Sequence, residues 1–220
     1  MRQMLAASLA LTGLALAPTA ALAHHPLGGL PMTTFAEGAL SGVGHPLLGF
    51  DHLAFVLAMG VAAAFAPRPL LTPLAYVAAM VLGTLAVSLG APLPLAEIGI
   101  VASLLVVGGL VASGRALTSP LALALFAGFG LFHGAGFAGS ILGQEGGVGG
   151  AVMLGYLMGL AVTQYAVAVA AGTLTRRLAP AVEGSVTSIG ARLIGAGVAG
   201  VGAFLALEIA EGPLLAALAG

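Results

Sequence analysis

The sequence predicts an all-α polytopic membrane bundle, six transmembrane helices following a cleaved signal peptide, and three observations carry that prediction. Of 220 residues, 60% are hydrophobic and only 6% charged, whereas soluble domains hold about a quarter charged residues. The mean hydropathy is +1.16. Apolar stretches about twenty residues long, the length that crosses a bilayer, recur along the chain between short breaks rich in proline and glycine.

Residues 1–23 read as a secretory signal peptide: Arg2, an apolar run from Met4 to Ala17, Pro18, and the small-residue pattern Ala21-Leu22-Ala23. Cleavage there starts the mature chain at His24-His25, with 24–44 as a periplasmic N-terminal segment and 45–220 as a six-helix transmembrane domain. The expected spans are 45–66, 70–90, 95–113, 119–142, 148–173 and 187–209. Ala66-Pro67-Arg68-Pro69 and Gly90-Ala91-Pro92-Leu93-Pro94 punctuate the first two breaks. Short loops make neighbouring spans antiparallel.

Orientation follows from the arginines. Arg68, Arg115, Arg176, Arg177 and Arg192 all hold or border the first, third and fifth loops, while Glu37, Glu145 and Glu211 fall on the other side. The positive-inside bias makes the arginine loops cytoplasmic, so both mature termini are expected in the periplasm of a bacterial inner membrane. Gly130/Gly134 and Gly155/Gly159 repeat at four-residue spacing, which lets helix backbones approach closely in lipid.

The composition also excludes classes. There is no lysine and the formal net charge is −1, so no basic surface exists for nucleic acid. With no cysteine, a metal would be held by imidazole, carboxylate, amide or backbone oxygen. No G-x-x-x-x-G-K-[ST] phosphate-binding loop is present.

Few ionisable residues fall at membrane depth: Asp51 and His52 in the first span, Glu97 at the start of the third, His133 in the fourth, and His45 at the outer mouth of the first. A buried aspartate costs about 2.5–3.5 kcal/mol on the insertion scale, so such residues usually mark sites or pathways. On an unbroken helix His45 and His52 share a face but lie about 10.5 Å apart along the axis. They cannot clamp one ion there, because metal–nitrogen bonds are only about 2 Å long. Either Pro46 and Gly49 bend the chain so that His45 swings inward, or the residues are successive stations completed by His133. Plainer roles stand beside these: a buried polar pair for Asp51, a helix cap for His45, a first-turn residue favoured by the helix dipole for Glu97, a simple interhelical hydrogen bond for His133. His24 and His25 read either as surface residues or, with the new amino terminus, as a chelate for a late first-row metal.

The run His45-Pro46-Leu47-Leu48-Gly49-Phe50-Asp51-His52, H-P-x-x-G-x-D-H, resembles the signature of the HupE/UreJ family of membrane proteins. Leu93–Val111, with Glu97, is similar to that family's third span, and Phe129–Leu142, with Phe132-His133-Gly134, to its fourth. Where many members carry a second histidine and a glutamate after F-H-G, this chain has Phe137 and Ser140. The resemblance implies a permease for a divalent transition metal, nickel or cobalt favoured over zinc or copper, supplying metalloenzyme maturation. It implies no prosthetic group and no enzymatic activity. His24 and His25 would collect the ion, His45 receive it, and Asp51, His52 and His133, with Glu97, complete the metal residues. The expected partners are the metal ion and the lipid bilayer, with room for a homo-oligomer. An intramembrane zinc metalloenzyme and a non-transporting assembly partner are the competing readings.

Overall fold

A computed structural model describes residues 31–144, 147–178 and 187–219. The signal peptide, His24 and His25 lie outside the described residues. Those described are helical without strands: α1 (Phe35–Leu48), α2 (Phe50–Ala64), α3 (Thr72–Ser88), α4 (Ala96–Ala112), α5 (Ser119–Leu142), α6 (Gly150–Leu178) and α7 (Ile189–Ala219).

The first helix begins ten residues before the expected span. Thr34 caps it: its hydroxyl accepts from the Glu37 N–H at 3.2 Å, and the Glu37 carboxylate accepts from the Thr34 N–H at 2.9 Å. This reciprocal box satisfies two of the donors that a helix start leaves open. The helix then stops at Leu48, and α2 departs at 79° to it. What reads as one span from 45 to 66 is therefore two helices joined at Gly49.

Helices α5, α6 and the Ile189–Gly212 part of α7 are each long and apolar enough to cross a bilayer; α1 and α2 meet that test only together, as a bent pair. Helices α3 and α4 are apolar but 17 residues long. Leucines such as Leu47, Leu82, Leu105, Leu131 and Leu193 are exposed on the outer faces, as suits a membrane protein whose surroundings are hydrocarbon.

Close packing of glycine on backbone holds the pairs together, because lipid offers no hydrophobic drive between helices. A Cβ on Gly134 would stand 2.2 Å from the Met80 carbonyl oxygen, and one on Gly130 2.7 Å from that of Tyr76, so α5 lies directly on α3. Gly155 and Gly159 likewise put α6 on the Phe35 and Ala39 carbonyls of α1. Both glycine pairs expected at helix contacts are found there. Farther along α6, Gly172 meets the Gly60 carbonyl of α2, so α1 and α2 lie in succession along one helix. Helix α2 is the centre, with Phe55, Ala58, Met59 and Val61 fully buried.

Candidate metal centre

The break at Gly49 sets the geometry of the site. Its N–H closes α1 on the His45 carbonyl at 2.8 Å, and its backbone then turns extended, φ −75° and ψ 99°. The elbow folds the two turns between His45 and His52 back on themselves. Their ring centroids are 5.9 Å apart, against about 10.5 Å of axial rise on a straight helix. Of the two arrangements open from the sequence, the bend is the one observed, and it occurs at Gly49, while Pro46 is accommodated within α1.

Helix α5 brings His133 to the same place. The Nδ1 atoms of His52 and His133 are 2.7 Å apart, and His133 Nε2 is 2.9 Å from Ser103 Oγ of α4. Proton positions follow from this network. The Ser103 hydroxyl donates to the Ile100 carbonyl at 2.6 Å, so toward His133 it can only accept. His133 therefore carries its proton on Nε2, its Nδ1 is a bare acceptor, and His52 donates to it from Nδ1. In the neutral ring the unprotonated Nε2 of His52 then lies on the Asp51 side, 3.9 Å from Oδ2. That gap is too long for a direct hydrogen bond.

His45 is held separately. Its Nδ1 lies 2.6 Å from Ser140 Oγ and 2.9 Å from the Tyr156 hydroxyl. Tyr156 in turn donates to the Phe137 carbonyl at 2.8 Å. Two hydroxyls thus hold His45 through Nδ1.

Aromatic rings enclose the three imidazoles. Phe137 packs on His52 and His45 with centroids 4.1 and 5.0 Å away, and Phe55 stacks on His133 at 4.4 Å. His133 is fully buried and His45 and His52 nearly so. An imidazole in such apolar surroundings must be hydrogen-bonded to be tolerated. Here each one is.

The remaining expected residues divide. Asp51 is at the edge of the cluster with about a third of its side chain exposed. Glu97 is exposed in the first turn of α4, three residues before the buried Ile100 and six before the buried Ser103. Among the described residues no three His, Asp or Glu side chains converge closely enough to ligate one ion together. The geometry is instead a hydrogen-bonded pair, His52 with His133, a third histidine nearby, and Asp51 behind the first.

Sequence reasoning passes over five residues that matter here. Ser103 and Ser140 fix two of the histidines, and Tyr156 a third contact. Tyr76 and Gln164, both buried, bond to each other one turn below His133: the Tyr76 hydroxyl donates to Gln164 Oε1. Only Ser140 left a trace, as the residue in place of a glutamate in the resembling pattern. Polar atoms on otherwise apolar helix faces were the available signal for Gln164, an amide in the middle of α6. Its Nε2 has no protein acceptor within hydrogen-bond distance, an omission that costs about 1–3 kcal/mol for a buried donor.

Searches of curated proteins and of solved structures give no match. The sequence profile of the HupE/UreJ protein family matches residues 9–205. That span includes every helix from α1 to α6, most of α7, and all three clustered histidines, and the chain belongs to this family.

Proposed function

We propose that this protein carries a divalent transition metal ion, nickel or cobalt favoured, inward across a bacterial inner membrane, for delivery to metalloenzymes. Its family is one of permeases and accessory proteins associated with those metals rather than of enzymes. The observation that carries the reading is the His52–His133 pair, two imidazoles meeting through Nδ1 at 2.7 Å inside a bundle of apolar helices. The outer nitrogen of His133 has Ser103 as its hydrogen-bond partner, and that of His52 faces Asp51 from 3.9 Å, beyond direct hydrogen-bond reach. Metal-binding histidines have this outer partner almost without exception. Asp51 then acts mainly by orienting His52 and by offsetting the charge of the cation in a place of low dielectric, and His45 receives the ion at the mouth of the site.

In this reading the six crossings are the bent α1–α2 pair, α3, α4, α5, α6 and α7. A helix broken at membrane depth is tolerated where it lines a polar site, and discontinuous helices commonly form the ion sites of transporters. The arginines fit the cytoplasmic end. Arg176 donates to the Ala64 carbonyl at 3.3 Å and Arg192 to the Ala112 carbonyl at 2.9 Å, so the basic residues cap the C-termini of α2 and α4 at the proposed inner face. Signal cleavage would leave His24 and His25 as the outer collectors, and Glu97, exposed at the start of α4, as a residue of the outer vestibule.

The test is uptake by proteoliposomes holding the purified full chain, challenged in turn with nickel, cobalt, zinc and manganese. Saturable nickel or cobalt uptake that disappears in His133→Ala is the expected result. Well-inserted protein that moves none of the four ions would end the transport reading.

A further inference from the structure

The histidine cluster lies toward one end of the bundle, so an ion bound there has most of α2 and α6 still to pass. Along α6 the buried residues recur every four positions: Tyr156, Leu160, Gln164, Ala168, Gly172. Tyr156 holds His45. Gly172 and Ala168 line, with Gly60, Ala64 and Arg176, a cavity of about 250 Å³ at the arginine end. Between the two lies Gln164, roughly 12 Å of helix from Tyr156 and 6 Å from Ala168 by residue rise.

Gln164 and Tyr76 form a buried polar junction on that path. The ring of Tyr76 is 5.8 Å from that of His133 and 5.2 Å from that of Phe55, so the phenol extends the cluster by one step toward the arginine end. Its hydroxyl donates to Gln164 Oε1, while Gln164 Nε2, in a side chain only 1% exposed, has no protein acceptor. A phenol can donate or accept. If the amide turns by 180°, Nε2 donates to the Tyr76 oxygen and Oε1 takes the position Nε2 now holds. The pair stays bonded in both states, and one of them presents an uncommitted carbonyl oxygen.

Resting on the permease reading above, we propose that Tyr76 and Gln164 form a second, inner station for the divalent cation, the Gln164 amide oxygen taking the ion from the histidine cluster and releasing it into the cavity beside Arg176. A neutral oxygen binds a nickel or cobalt ion less firmly than imidazole does. Conduction needs a site of that kind after a tight one, because an ion must leave as well as enter. The amide flip supplies the exchange without breaking the Tyr76 contact.

The experiment compares Gln164→Leu and Tyr76→Phe with the parent and with His52→Ala, measuring nickel binding to purified protein and nickel uptake by proteoliposomes. Gln164→Leu is expected to bind nickel within twofold of the parent and to lose at least tenfold in maximal uptake rate. Tyr76→Phe, which keeps the ring against Phe55, should show the same division, with the apparent KM little changed. His52→Ala should lose binding and uptake together, and that separates loading from release. Parental uptake in both Tyr76→Phe and Gln164→Leu would overturn the inner station and leave the histidine site standing. A weakening of nickel binding equal to the loss of uptake would also overturn it, by placing Gln164 in the loading site. If Gln164→Leu does not insert, Tyr76→Phe alone decides.

Discussion

His52 and His133 touch through their Nδ1 atoms at 2.7 Å, with ring centroids 5.0 Å apart. An ion bonded to both nitrogens at about 2.0–2.1 Å in a tetrahedral arrangement would set them roughly 3.3 Å apart. The observed contact is therefore a hydrogen bond, and loading must part the rings by about half an ångström and remove the proton between them. The movement is small, with Ser103 bonded to the outer nitrogen of His133 and Asp51 placed 3.9 Å from that of His52. Those partners are where the reading is most easily tested.

Ser103 fixes the His133 tautomer by accepting from Nε2 at 2.9 Å while its own proton is given to Ile100. Ser103→Ala leaves Nε2–H without that acceptor and frees the ring to turn. Loss of such a partner typically lowers metal affinity about 10- to 100-fold, and nickel titration of the purified variant should show a drop of that size. Ser103→Thr keeps the hydroxyl and should recover most of it. Unchanged affinity in Ser103→Ala would remove α4 from the site.

Asp51 and His133 should differ in kind. Asp51 lies 3.9 Å from His52 Nε2 and is partly exposed; in the proposed site it orients and compensates, so Asp51→Asn is expected to weaken nickel binding by about 10- to 100-fold without abolishing it. His133→Ala removes a proposed ligand atom and should leave no measurable binding. Equal and complete loss in both variants would make Asp51 a direct ligand.

Much of this was legible from the chain, and the exceptions have physical reasons. Helices α2 to α5 fall within the expected spans, because bilayer thickness and proline–glycine breaks constrain them tightly, while α6 runs five residues past the expected end at 173 and α7 ten past that at 209. The start of α1 does not, since hydropathy gives little weight to a stretch such as Phe35-Ala36-Glu37-Gly38; the Thr34-x-x-Glu37 box is the signal that marks it. Helix geometry excludes His45 and His52 as a clamp on an unbroken helix and leaves a bend or a partner such as His133 open; the structure has the bend, and it also has His133 against His52. The roles of Ser103, Ser140 and Tyr156 were not legible. A hydroxyl on a helix is compatible with any face until the neighbouring helix is known, and each of these three bonds crosses helices.

Phe137 offers a gain of function. It sits 4.1 Å from the His52 ring and 5.0 Å from the His45 ring, at the place where the resembling pattern often has a histidine. Phe137→His would put a third imidazole between two existing ones, and an added ligand of this type strengthens binding of nickel, cobalt, zinc and copper alike. Nickel affinity should rise by about tenfold or more, with slower maximal uptake, since tighter binding delays release. Weaker binding would mean that the ring serves chiefly to exclude water.

Gly49 tests the elbow itself. Its backbone, φ −75° and ψ 99°, lies in a region open to any residue, so alanine meets no conformational strain. The obstacle is space: a Cβ there would stand 2.9 Å from His52 Cδ2 and 3.1 Å from the His45 carbonyl oxygen. Both contacts are too close, and both belong to residues whose relative position defines the cluster. Relief requires His52 to swing away or the elbow to open, and either parts the Nδ1 pair with His133. Over-packing of this kind costs about 1–3 kcal/mol, so Gly49→Ala should lower the melting temperature modestly while reducing nickel binding at least tenfold. The matched control is Gly139→Ala on α5, where an added Cβ meets no heavy atom within 4 Å and the helix gains propensity. It should bind as the parent does and melt no lower. If both variants bind nickel normally, the histidines tolerate a wider elbow than the one seen, and the close approach at Gly49 serves packing alone.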